Sequence, residues 1–147
     1  MSNTTYRRGF LAGALALTVT PWSALAQDDA LASAIRAAIG DAPVQDGGIT
    51  LRTPPVAENG GQVPLTVLVD SPQTAERHVT AIHVLASRNP TPGVADFRLT
   101  PLLARAEVQT RIRLAEEQRI IVLARFNDGT VRRASADLRV TTGGCLT

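Results

Sequence analysis

From Ile49 to Val140 the chain is written in short apolar alternations, each cut off by a turn signal. Val63, Leu65, Val67 and Val69 follow a period of two. So do Val79, Ala81, His83 and Leu85, and again Ile120, Val122, Ala124 and Phe126. Successive side chains of an extended strand point to opposite faces, so the pattern describes strands with one buried face. The signals between them are Asn59-Gly60-Gly61, Ser71-Pro72, Asn89-Pro-Thr-Pro-Gly93 and Asn127-Asp128-Gly129, the last resembling a hairpin turn. The reading predicts strands near 49–52, 62–70, 77–87, 95–99, 107–114, 119–126 and 130–142. Short strands at this spacing predict an all-β domain, an immunoglobulin-like β-sandwich. The paired cysteines and core tryptophan of antibody domains are absent, because Cys145 and Trp22 are single and lie outside the strands.

The first residues belong to something else. Arg7-Arg8 precede Phe10 and Leu11, an apolar run reaches Val19, and Ala24-Leu25-Ala26 forms a small-x-small cleavage site. This reads as a twin-arginine secretory signal over residues 1–26, exporting the protein to the periplasm. The run from Phe10 to Val19 is too short to span a membrane. A short helix is expected over Asp28–Ile39, capped by Asp28 or Asp29 and ended by Gly40. Leu31, Ile35, Ala38 and Ile39 share a stripe and should pack on the sandwich. Residues 41–48 read as a turn-rich connector. The division is therefore 1–26 signal peptide, 27–142 helix and sandwich, and 143–147 a C-terminal cysteine arm.

Charge excludes one class of partner. The chain holds 15 basic and 13 acidic residues, but Arg7 and Arg8 leave with the leader, so the mature balance is even. With no basic block and almost no aromatic residues, nothing points to nucleic acid.

Cys145 is the only cysteine, so it cannot form an internal disulfide. Gly143-Gly144 precede it and should end the last strand, leaving the thiol on a flexible hinge. Its neighbours, Leu146 and the terminal Thr147, include no base to draw off its proton. A thiol of this kind ionises only by a few per cent near neutral pH. It reads as a handle for other enzymes, not as a catalyst. A prenylation box needs more residues after the cysteine, and a lipid-anchor cysteine would stand at the leader's cleavage site, so no membrane anchor is expected.

Other sites are weaker. His78 and His83 are five apart and point to opposite faces of a strand, so no metal site is expected. Glu116-Glu117 read as a solvated turn, and Glu58-Asn59 as part of a turn into Gly60-Gly61. No phosphate loop and no Ser/His/Asp order stands out.

Several stretches together resemble the SoxY family, the sulfur-carrying subunits of bacterial thiosulfate oxidation. They are Ile49-Thr-Leu51, Pro54-Pro-Val-Ala-Glu-Asn-Gly60, Val63-Pro-Leu-Thr-Val67, Asn89-Pro90, Ala95-Asp-Phe-Arg-Leu99, Thr110-Arg-Ile-Arg-Leu114, Asp128-Gly129 and Val140-Thr-Thr-Gly-Gly-Cys145. The resemblance implies a sandwich that forms a heterodimer with a SoxZ-like β subunit. It implies that Cys145 carries sulfur intermediates covalently, with Gly143 and Gly144 as hinge and no further cofactor. It implies transient contacts with a c-type cytochrome, a sulfate-releasing hydrolase and a sulfane dehydrogenase. One departure stands out: the family's arm ends in glycines, and here Leu146-Thr147 follow the cysteine. A second reading, from a different class, is a non-carrier binding or structural sandwich that would work unchanged after Cys145→Ser.

Overall fold

The computed structural model describes residues 22–141. A helix, α1 (Trp22–Ile39), is followed by nine strands: β1 (Val44–Asp46), β2 (Ile49–Arg52), β3 (Val56–Ala57), β4 (Val63–Val69), β5 (Val79–Ala86), β6 (Gly93–Arg98), β7 (Ala106–Ile112), β8 (Gln118–Phe126) and β9 (Val131–Val140). They form two sheets. The larger has the order β1-β9-β8-β5-β6, with β3 also on β9, and the smaller has the order β2-β4-β7.

The alternating residues make the core between the sheets. Val63, Leu65, Val67 and Val69 face Ile82, Val84, Ile120, Val122 and Leu138 within one apolar cluster. All are at most 2 % exposed. Each such side chain, moved out of water, contributes about 1.5–3 kcal/mol. The β-sandwich expected from the sequence is present, and its seven predicted strands lie within two residues of the observed bounds.

Three details differ from expectation. The sequence pattern places Val79, Ala81, His83 and Leu85 on one face of β5, but a bulge between Val79 and Ala81 shifts the register. Ile82, Val84 and Ala86 therefore join Val79 in the inner core. Leu85 turns to the outer face, where a second cluster joins it to Ile39, Leu123 and Val131. Both faces of β5 are covered, so a two-residue period does not reveal which one meets the partner sheet.

The second detail is the helix. Leu31, Ala34, Ile35 and Ala38 pack into that outer cluster, as the stripe predicts. Gly40 ends the helix with φ of 60°, and its N–H donates to the Arg36 carbonyl at 2.7 Å. The Arg125 guanidinium donates to the Ala38 carbonyl at 3.2 Å, where a cation favours the helix C-terminus. The start differs from the expected one. Asp28 and Asp29 lie inside the helix, not at its cap, because it runs back to Trp22 across the 26/27 boundary. Ala24, Leu25, Ala26 and Gln27 are strong helix formers with no breaker among them.

The third detail is two unpredicted strands, one in the stretch read as a connector and one just before the Glu58–Gly61 turn. β1 pairs in parallel with Val131–Arg133. β3 pairs in parallel with Arg139 and Val140. Between them the chain crosses to the smaller sheet as β2.

Ile120→Ala should lower stability by about 2–5 kcal/mol, because a fully buried side chain leaves a cavity. Leu102→Ala should change it by no more than about 0.5 kcal/mol, since Leu102 is 93 % exposed. Urea unfolding of the two variants checks both.

Candidate functional site

The end of β9 leads towards the predicted arm. Its ladder with β8 closes at the Gln118–Leu138 pair. Past that point the bonds pass to the other side of the strand. The Arg139 N–H donates to the Pro55 carbonyl at 3.1 Å, and the Thr141 N–H donates to the Ala57 carbonyl at 3.0 Å. The Thr141 hydroxyl reaches the same carbonyl at 3.4 Å. The predicted site residues Gly143, Gly144 and Cys145 begin two residues further on and lie outside the described residues, as do Arg7 and Arg8.

The turn after β3 ties this end to the smaller sheet. Asn59 Oδ1 accepts the Gly61 N–H at 2.8 Å. The Gly60 carbonyl accepts the Leu114 N–H, also at 2.8 Å. A Cβ on residue 60 would stand 2.5 Å from the Leu114 carbonyl oxygen and 2.9 Å from Val140 Cγ1. Both are closer than real Cβ contacts allow, so close approach of two backbones requires the glycine.

A polar knot completes the same end. Asn89 donates to the Arg113 carbonyl at 2.8 Å and accepts the Ala115 N–H at 3.0 Å. Gln118 is 4 % exposed. Its amide donates to Asn89 Oδ1 at 2.9 Å, and its oxygen accepts the Arg88 N–H at 2.8 Å. Buried amides are stable only when such partners are met. Thus Ala57–Gly61, Asn89, Leu114–Gln118 and Thr141 converge on one end of the sandwich. Sequence reasoning finds the Glu58–Gly61 turn but misses that the segment leading into it, Pro55–Ala57, clasps β9. It gives no role to Gln118. The Asn-Gly-Gly run is the available signal for the first; an isolated glutamine carries none.

Asp46, Asp128 and Asp137 are held below the ordinary carboxylate range. The leading cause for Asp46 is the hydrogen bond from Arg133. For Asp137 it is the hydrogen bond from Arg119, and for Asp128 it is the Thr130 hydroxyl and backbone, with Arg77 adding less. All three pairs lie on the surface, in positions that organise strands and turns. His83 Nδ1 lies 2.6 Å from Asp96 Oδ1, in a pair between β5 and β6. His78 precedes β5, with Nδ1 3.0 Å from the Thr74 carbonyl. Glu116 and Glu117 are exposed in the loop before β8, as expected. Among the described residues, no three His, Cys, Asp or Glu side chains gather as a metal site. A depression of about 500 Å³ lined by Ile49, Val69, Asp70 and Arg105 lies at the opposite end of the sandwich.

The family profile described as sulfur oxidation protein SoxY matches residues 35–145. The chain belongs to the SoxY family. Among solved structures, the sulfur carrier protein SoxY from Chlorobium limicola f thiosulfatophilum is similar, with 32 % identity and a TM-score of 0.65. That match covers 77 % of this chain and 97 % of the Chlorobium SoxY. Superoxide reductases share the fold alone. The superoxide reductase (neelaredoxin) from Ignicoccus hospitalis is 14 % identical with a TM-score of 0.57, over 65 % of this chain and 81 % of its own. The superoxide reductase from Nanoarchaeum equitans is 8 % identical with a TM-score of 0.54, over 66 % and 99 %. No curated protein matches. The family's match reaches across all the segments that meet at the β9 end.

Asn89→Ala should lower stability by about 1–3 kcal/mol, because it strands the Arg113 carbonyl, the Ala115 N–H and the buried Gln118 amide. Denaturant titration measures it. The pH dependence has a definite sign. Carboxylates with lowered pKa stabilise the fold above their ordinary value of 3.8, and that stabilisation is lost as pH falls through the folded value. Melting temperature should therefore fall below about pH 4. Asp46→Asn with Asp137→Asn should make that fall shallower in a pH series of thermal melts.

Proposed function

We propose that this protein is a periplasmic carrier that holds thiosulfate-derived sulfur covalently on Cys145 and presents it to partner enzymes. The observation that carries the reading is that the family match runs through Cys145 itself. The similarity to a sulfur carrier protein of known structure supports it. So does the lack of a neighbouring base in the sequence around the thiol.

The chemistry balances at each step. The Cys145 thiol and thiosulfate join through a new S–S bond, releasing one proton and two electrons to a c-type cytochrome. Water then cleaves the S–SO3 bond under a hydrolase, giving sulfate and a persulfide on Cys145. A sulfane dehydrogenase then oxidises the outer sulfur to a sulfonate, with water as oxygen source and a c-type cytochrome taking the electrons, and a second hydrolysis releases sulfate and restores the thiol. The carrier itself supplies no catalyst, and the sulfur intermediate is its cargo. Gly143 and Gly144 act as hinge, and glycine's freedom of backbone angle suits that role. A twin-arginine leader with Arg7 and Arg8 exports the folded chain. A SoxZ-like sandwich covers one of the sheet edges, which otherwise present unpaired backbone groups. Leu146 and Thr147, replacing the glycines that end the family's arm, call for a processing channel with room for a leucine.

Intact-mass spectrometry of the protein purified without reductant from thiosulfate-grown cells tests the reading. Thiosulfonate or sulfane adducts are expected on the unaltered protein and none on Cys145→Ser. A bare thiol under all growth conditions would overturn it in favour of a non-carrier binding sandwich.

A further inference from the structure

We propose that the segment Pro55–Gly60 is a clamp that fixes where the C-terminal segment leaves the sandwich, with Gly60 as its positioning residue. The geometry separates the end of β9 into two parts. As far as Leu138 the strand is zipped to β8. From Arg139 to Thr141 its backbone bonds are made to Pro55 and Ala57. The clamp is itself anchored twice. Ala57 is buried at 5 % exposure, and the Gly60 carbonyl is bonded to Leu114 beyond β7. The clamp thus bridges β9 of the larger sheet to the strand end of the smaller one, and Val140 packs over Gly60.

The consequence is a length. Cys145 is four residues beyond Thr141 and seven beyond Leu138. An extended chain spans at most about 14 Å over the first count and about 24 Å over the second. With the clamp closed, the smaller length is the upper limit on the distance from Thr141 to Cys145. With it open, the maximal reach grows about 1.7-fold. Under the carrier reading, on which this last step rests, the thiol offered to a docked enzyme is then diluted over the larger volume. A side chain at residue 60 opens the clamp, because its Cβ collides with Leu114 or Val140.

The test reads distance, not sulfur chemistry. Spin labels are placed on Cys145 and on Arg98→Cys, an exposed strand residue at the far end of β6. Pulsed dipolar spectroscopy then compares the parent with Gly60→Ala. The expected result is a wider distribution in Gly60→Ala, its outer limit extended by up to about 10 Å. Ile120→Val, which loosens the core without touching the clamp, should leave the width unchanged. Amide exchange of the parent is the second measurement and needs no variant. The Arg139 and Thr141 amides should be protected well beyond free-peptide rates. Equal widths in parent and Gly60→Ala, or unprotected amides at 139 and 141, would overturn the clamp. Neither outcome depends on whether Cys145 carries sulfur, so a failed adduct measurement leaves the clamp standing, and the reverse holds too.

Discussion

The β8–β9 ladder is the interaction on which the rest of this fold depends. It runs from Gln118–Leu138 to Arg125–Val131, and it fixes which face of each strand is buried. A slip of one residue would send Ile120, Val122 and Leu138 out of the core and charged neighbours in. The same strand carries β1 and β3 on its other edge, both parallel to it. β9 therefore holds the segment that follows the helix, the clasp at the opposite end, and the chain's exit. Its outer face also contributes Val131 to the cluster beneath α1. One ladder sets the register of the core and the seat of the helix.

How far this was legible depends on the scale of each signal. Val63–Val69 and Ile120–Phe126 are long enough to show a period, and their burial follows it. β1 and β3 are three and two residues long, too short for any period. Their partners lie more than eighty residues away, in a parallel pairing that leaves no hairpin turn to mark it. The bulge in β5 is hidden for a related reason. Its neighbours are apolar on both sides, so the sequence names buried residues without saying which face they take. Asp28 and Asp29 mislead because an N-cap signal is local, whereas the helix length is set by the good formers preceding it. Asn89 and Gln118 are ordinary polar letters until the fold brings them together across 29 residues.

The electrostatics of the described residues bear on the site by where they lie. Asp46, Asp137 and Asp128, all held low, sit in exposed pairs that brace β1 to β9, β8 to β9 and the β8–β9 turn. Exposed pairs of this type hold geometry more than they add stability. At the β9 end the bonds are mostly between neutral groups, backbone to backbone or amide to backbone. These are insensitive to salt and to pH near neutrality. An end built this way keeps its shape across conditions and contributes position instead of reactivity.

That division of labour gives the glycines of this region two opposite uses. Gly60 has no side chain because two backbones and Val140 must meet there, so its effect is to make the fold tighter. Gly143 and Gly144, by their composition alone, widen the range of backbone angles ahead of Cys145. Under the carrier reading a thiol gains from both together. Freedom without a fixed root would spread it over a large volume, and a fixed root without freedom would hold it at one angle. The clasp of β3 on β9 fixes Thr141, and the maximal reach to Cys145 is counted from there.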